Sequence, residues 1–139
     1  MGTISFNNHG ILSNLKDKLL LKTFLSSIFA KEKIEFKSVS YIFCTDEHLL
    51  KLNQQYLNHD TLTDILTFTL SGLSLPIVSE IYISVERVKE NARELNINYD
   101  TELRRVMIHG ILHLCGYEDL SDAEKIEIRL KEDYYLSKY

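Results

Sequence analysis

The stretch His109-Gly110-Ile111-Leu112-His113-Leu114-Cys115-Gly116-Tyr117-Glu118-Asp119 says most about the fold and the chemistry of this chain. Its apolar residues, with those just before it, predict a strongly apolar helix over residues 101–115. Gly116 is a typical left-handed residue at a helix C-terminus, so we expect the helix to end there. His109 and His113 are four residues apart and therefore project from one face of that helix.

Two imidazoles one helical turn apart can occupy adjacent corners of a tetrahedral metal site. Asp119 follows His109 by ten residues, the offset of the third His in metzincin peptidases, and a carboxylate can take that place. Three protein ligands leave one position open, at which a divalent metal makes water acidic enough to act near neutral pH. The sequence therefore predicts a metal site formed by His109, His113 and Asp119 on this helix and the turn after it.

A His pair at this spacing is also common on helices where it is only solvated or packed. Here the pair lies in an apolar helix that offers the imidazoles no polar partner of its own, and buried polar groups need one. Gly110 costs about 1 kcal/mol relative to Ala inside a helix and calls for a packing reason. These points favour a metal site over core histidines. Peptidases with a His-Glu-x-x-His motif carry their catalytic Glu where this chain has Gly110, which argues against proteolysis.

Outside this segment, the periodicity predicts a single α+β domain over 1–139, with a mixed sheet of about four strands and about five helices. Asp100 is the expected cap of the His-bearing helix, and Ser121 to Glu124 has the form of a capping box. Ile81 and Ile83 are expected on one face of their strand, with Glu80 and Tyr82 on the other. The sequence does not predict the strand order. Predicted strands are 3–7, 39–45, 64–70 and 77–84; predicted helices are 12–30, 46–58, 85–95, 101–115 and 121–136.

Length and composition agree with one globular domain. The chain has 139 residues, 45% of them hydrophobic and 26% charged, which is ordinary for a folded protein. A net charge of −4 disfavours coating of DNA or binding to a membrane surface, but a local basic strip or a metal can still recruit RNA. Cys44 and Cys115 belong to no paired framework, and neither a membrane span nor a signal peptide is expected. We therefore expect a cytoplasmic protein.

The block His109-Gly110-x-Leu112-His113-Leu114-x-Gly116-Tyr117 resembles the signature of the bacterial YbeY family of ribosomal RNA maturation factors. Blocks upstream of it also match the family in order, and the whole resemblance covers about residues 49–119. The resemblance implies a zinc-dependent, single-strand-specific endoribonuclease that acts in 3′-end maturation of small-subunit (16S) ribosomal RNA and in ribosome quality control. The matching upstream blocks are Leu52-Asn53-x-x-Tyr56, Asp60, Thr63-Asp64-Ile65-Leu66-Thr67-Phe68 and Glu80-Ile81.

The resemblance also assigns individual residues. His109 and His113 match two metal ligands of the family, and Asp119 stands where most members have the third His. Leu57 occupies the position at which many members carry an Arg that is believed to hold phosphate. Glu80 replaces an Asp that is linked to contact with a small-subunit ribosomal protein, and it keeps the charge.

Because this chain has Leu57 in place of the family's Arg, we expect another positively charged side chain to contact the RNA. Arg105 lies one turn before His109 on the same helix face and is the first candidate, although a solvated basic residue is an equally good interpretation. Arg104 points elsewhere, and His59 is a weaker candidate. Asp64 is expected to cap or orient a loop beside the site, or to be the hydrogen-bonding partner of a ligating His.

Three functions remain open on the sequence. The first is a metal-dependent ribonuclease, for which Arg105 and Asp64 are the candidate catalytic residues. The second is a ribosome-assembly factor that does not cut, in which the metal is structural and Glu80 and the basic residues bind ribosomal protein or RNA. A zinc peptidase is the third, and the Gly at position 110 makes it the weakest.

Overall fold

The described residues, 2–57, 63–72 and 76–139 of this computed structural model, form one mixed sheet with helices packed on it. Four strands and five helices lie within these residues, as the sequence predicts. The strands are β1 (Thr3–Asn8), β2 (Phe36–Cys44), β3 (Ile65–Thr69) and β4 (Ile77–Ser84), and the helices are α1 (Lys18–Lys31), α2 (Asp46–Leu57), α3 (Val85–Leu95), α4 (Tyr99–Leu114) and α5 (Asp122–Leu136).

The sheet has the strand order β1-β2-β4-β3. β1, β2 and β4 run parallel, whereas β3 pairs antiparallel with β4, from Ile65 opposite Ile83 to Thr69 opposite Ser79. β3 is therefore an edge strand of the described sheet, and one of its sides is free of strand pairing. Among the described residues, no helix combines the length and apolarity that crossing a membrane requires.

The predicted alternation along β4 is confirmed. Ile81 and Ile83 are fully buried, while Glu80 and Tyr82 are half-exposed on the opposite face. The main core lies on the side of Ile81 and includes buried residues from every helix except α2. Leu49 of α2 packs in a small second cluster on the other face of the sheet. The helix with the two histidines thus belongs to the main core.

Two predicted helix starts are wrong. α1 begins at Lys18 rather than at position 12, because Asn14 and Asp17 have left-handed backbones with φ of 56° and 52°. Leu12 lies outside the helix and is 66% exposed. α4 is capped by Asn98, whose Oδ1 accepts from the backbone N–H of Thr101 at 2.8 Å, rather than by Asp100.

Two glycines set the position of α4. A Cβ on Gly110 would lie 3.0 Å from Cδ1 of Ile65 and 3.1 Å from Cδ1 of Ile81, so the absence of a side chain lets α4 approach β3 and β4 closely. Gly116 has φ of +104°, which confirms the predicted left-handed turn after the helix. The first glycine places the histidines next to the sheet edge, and the second redirects the chain.

Candidate metal centre

The structure brings the three predicted ligand side chains together at the end of α4. Nε2 of His109 lies 2.9 Å from Nε2 of His113, and Oδ2 of Asp119 lies 3.4 Å and 3.5 Å from those two nitrogens. Ligands about 2.0–2.1 Å from a tetrahedral ion are separated by about 3.3 Å. The three atoms therefore have nearly the spacing that one face of such a site requires. All three side chains are partly accessible to solvent.

Tyr117 holds the turn that carries Asp119 through its backbone and its side chain. The N–H of Tyr117 donates to the carbonyl oxygen of Leu112 at 3.0 Å, which closes the last turn of α4. The hydroxyl of Tyr117 donates to Glu32 Oε1 at 2.9 Å. Tyr135 also donates to this carboxylate. Burial alone would raise the pKa of Glu32, but the hydrogen bonds from Tyr135 and Tyr117 outweigh it and leave this pKa below its usual range. The carboxylate of Glu32 thus ties the turn to α1 and α5.

A residue that the sequence analysis missed completes the surroundings of His109. Oε2 of Glu132 lies 2.6 Å from Nδ1 of His109, and Glu132 is only 4% exposed. Helical spacing predicts partners only within the same helix, whereas Glu132 is 23 residues away on α5. One signal was available: Ile128 and Tyr135 are buried on α5, and Glu132 shares their face by helical spacing. An acidic residue on an apolar face requires a partner.

The acidic groups around His109 outweigh the effect of its burial. Burial by itself lowers the pKa of this imidazole, but the hydrogen bond and charge of Glu132 and the charge of Asp119 raise it above its usual value. The surroundings of His109 therefore favour positive charge, whether on the ring or on a bound cation.

Arg105, the predicted RNA-binding cation, is surrounded by carboxylates. Its Nη1 lies 2.9 Å from Asp133 Oδ1 and 3.3 Å from Glu132 Oε1, and its Nε lies 3.6 Å from Glu102 Oε1. The side chain is 13% exposed. In this arrangement Arg105 neutralises the acidic residues behind His109.

Asp64 lines the cleft beside the histidines. Its Oδ2 accepts from Nδ2 of Asn91 at 3.1 Å, and its backbone oxygen accepts from the N–H of Ser84 at 3.0 Å. Burial raises the pKa of Asp64, and the charge of His109 offsets part of that rise. Asp64 therefore orients the start of β3, while Glu132 takes the hydrogen bond to the imidazole.

The sequence also singled out Arg104, Leu57 and His59. Arg104, in the N-terminal half of α4, lies 4.7 Å from the centre of the Tyr139 ring. Leu57 ends α2, and His59 lies outside the described residues.

Two cavities meet at the candidate ligands. One is an open cleft of about 600 Å³ that follows β3 and contains the side chains of His109, His113 and Asp119. Polar residues of the β3 segment line it: Thr63, Thr67, Thr69 and Ser71. The second cavity, of about 320 Å³, lies on the α5 side of His109 and is lined by Lys125 and Arg129, among others. An extended polar polymer can therefore reach the candidate metal centre along β3, the strand at the edge of the sheet.

The chain is thus an α+β domain in which an apolar helix presents a His-His-Asp candidate metal centre to an open polar cleft. Residues 4–139 match the sequence model of a family described as endoribonuclease YbeY. The chain belongs to the YbeY family, which confirms the family and the enzyme class that the sequence predicted.

The relatives and a solved structure cover nearly the whole chain. The endoribonuclease YbeY of Flavobacterium psychrophilum is 48% identical over 130 residues, which are 94% of this chain and 91% of the relative. The YbeY of Cytophaga hutchinsonii is 42% identical over 135 residues, 97% of this chain and 94% of the relative. A solution structure of a Thermotoga maritima protein is 38% identical, with a TM-score of 0.67, over 96% of this chain and 86% of that one.

Proposed function

We propose that this chain is a metal-dependent endoribonuclease that cuts single-stranded RNA, with zinc as its ion. Its substrate is small-subunit ribosomal RNA, in 3′-end maturation and ribosome quality control, and its compartment is the cytoplasm. The observation that carries the metal dependence is the tetrahedral spacing of His109, His113 and Asp119 at the cleft. The substrate, the small-subunit partner and the compartment rest on the family.

The donor set fits a zinc ion. Two imidazole nitrogens and one carboxylate oxygen are ligands that zinc binds, and three of them leave a position open. A zinc ion held there supplies an acidified water and stabilises negative charge on phosphate oxygens. The residues of the cleft supply the rest: Thr67 and Thr69 line the path of the substrate, and Asp64 is the candidate proton acceptor.

We propose that the cations that contact phosphate lie on α5. Arg105 is bound to carboxylates, and we assign it to holding the site together. Lys125 and Arg129 line the cavity that shares His109, Asp119 and Asp64 with the site. They offer positive charge beside the candidate metal centre without the family's Arg at position 57.

The proposed contact with a small-subunit ribosomal protein is at Glu80. This residue is half-exposed on the sheet face opposite the main core, and its Oε1 accepts a hydrogen bond from the hydroxyl of Tyr82 at 3.2 Å. Glu80 therefore offers its charge on a face separate from the metal centre. A partner bound there leaves the cleft accessible to RNA.

The decisive experiment compares wild type with Asp119→Ala, with Glu118→Ala as the matched control. Glu118 is the neighbouring acidic residue, it is exposed, and it lines the same cleft. We expect near-stoichiometric zinc by mass spectrometry in wild type and in Glu118→Ala, and a sharp loss in Asp119→Ala. Cleavage of a single-stranded RNA is expected to fall with the zinc, whereas thermal unfolding and RNA binding stay close to wild type.

Two results would contradict this proposal. Zinc-free wild type, folded and prepared in zinc-containing buffer, would exclude the metal site. Loss of the fold together with the zinc in Asp119→Ala would instead favour the alternative, a ribosome-assembly factor with a structural metal.

A further inference from the structure

We propose that Glu132 is the positioning residue of the metal centre: it fixes the ring of His109 so that Nε2 faces the ion. This inference rests on the proposed metal site and concerns a residue on a different helix from the ligands. The observation behind it is the 2.6 Å contact between Glu132 Oε2 and Nδ1 of His109.

The contact determines which nitrogen of the imidazole carries the proton. An ionised carboxylate can only accept a hydrogen bond, so Nδ1 must be the donor. In the neutral ring Nε2 then has a free lone pair, and Nε2 is the atom that lies 2.9 Å from His113 and 3.4 Å from Asp119. When its ring is neutral, His109 is thus held in the tautomer that a metal at this position needs.

The surroundings hold Glu132 in place. Oε2 contacts His109, while Oε1 lies 3.3 Å from Nη1 of Arg105 and 4.0 Å from Nη1 of Arg129. Asp133 contacts the same Nη1 atom of Arg105 at 2.9 Å. The two oxygens of Glu132 therefore have separate partners, one on each side, and the carboxylate has little freedom to rotate away from the histidine.

It follows that α5 contributes to metal binding although it carries no predicted ligand. Removal of a carboxylate behind a ligating His typically weakens metal binding 10- to 100-fold. Arg105 affects metal binding only through Glu132: it holds that carboxylate and contacts no predicted ligand among the described residues. Both residues lie behind the ring of His109, on the side away from His113.

The test is Glu132→Gln, with Asp133→Asn as the matched control. Both substitutions remove one negative partner of Arg105, but only the first changes the contact with His109. Competition between the protein and a chelator for Zn²⁺ should show an affinity about 10-fold lower for Glu132→Gln and unchanged for Asp133→Asn. In the metal-free proteins, at an alkaline pH at which the ring of His109 is neutral, nitrogen-15 NMR of the imidazoles should show the Nδ1–H tautomer of His109 in wild type and a mixture of tautomers in Glu132→Gln.

Equal zinc affinity in wild type and Glu132→Gln, or an Nε2–H tautomer of His109 in metal-free wild type, would overturn the proposal. If Glu132→Gln does not fold, the tautomer in wild type decides alone: Nδ1–H supports the proposal and Nε2–H overturns it. If wild type binds no zinc, the proposed metal-dependent function fails, and the same tautomer measurement still decides the role of Glu132.

Discussion

Gly110→Ala tests whether the missing side chain at this position is what seats α4 on the sheet. The added methyl group would lie 3.0 Å from Cδ1 of Ile65 and 3.1 Å and 3.3 Å from Cδ1 and Cγ2 of Ile81. Ile65 is half-buried, so the end of its side chain can move aside. Ile81 is 0% exposed and has two atoms in the way. The cost of the substitution is therefore set mainly by Ile81.

Two opposing effects determine the magnitude. Ala is better than Gly inside a helix by about 1 kcal/mol. Overpacking of a filled core costs about 1–3 kcal/mol, and two blocked contacts with a fully buried residue place the cost near the middle of that range. We expect a net loss of about 1 kcal/mol in the free energy of unfolding. For a domain of this size, that lowers Tm by about 3–4 °C.

Urea unfolding followed by circular dichroism gives this free energy. Gly72→Ala is the control, because a Cβ at Gly72 would meet no atom of the described residues within 4 Å, and no destabilisation is expected there. Ile81→Val removes Cδ1, the closer of the two Ile81 atoms to the new methyl group. The double variant should therefore be at least about 0.5 kcal/mol more stable than the sum of the two single substitutions predicts. A Gly110→Ala protein more stable than wild type, with no coupling to Ile81→Val, would refute the packing argument.

Glu32→Gln should lower the free energy of unfolding by about 1–2 kcal/mol at pH 7, because Tyr135 and Tyr117 then donate to a neutral group. The folded-state pKa of Glu32 lies below its ordinary value. The stability that this carboxylate contributes is therefore present above the ordinary pKa and is lost as the pH falls through the folded-state pKa. Urea unfolding at several pH values should show the stabilities of wild type and Glu32→Gln converging in acid. Asn98→Ala should cost about 1 kcal/mol as the cap of α4, and Asp100→Ala less than half of that, as urea unfolding of both variants would show. Equal costs for these two variants would contradict the capping assignment.

Features that depend on neighbours along the chain could be predicted from the sequence. The turn at Gly116 and the shared face of His109 and His113 follow from helix periodicity and glycine conformation. Asp119, ten residues after His109, can reach the two histidines because the turn after the helix is short. The α+β class and the alternation along β4 follow from the same local patterns.

Local patterns predicted helix ends less well. Apolar residues before Lys18 continued the periodicity of α1, but two left-handed backbones interrupt it. Asn98 and Asp100 are both good caps by residue type, and only the coordinates show which oxygen reaches the N–H of Thr101. Hydrophobic periodicity alone does not locate a helix end to within one or two residues, so it does not distinguish Asn98 from Asp100 as the cap.

The strand order and the partners of the site depend on how the helices and strands pack, and could not be predicted from the sequence. Glu132 reaches His109 across 23 residues, and Glu32 binds Tyr117 and Tyr135 across 85 and 103 residues. Arg105 looked like an exposed cation in the sequence, because the carboxylates that surround it come partly from α5. Spacing along the chain specifies which side chains share a face of one element, whereas the pairing of faces depends on how helices and strands pack in three dimensions.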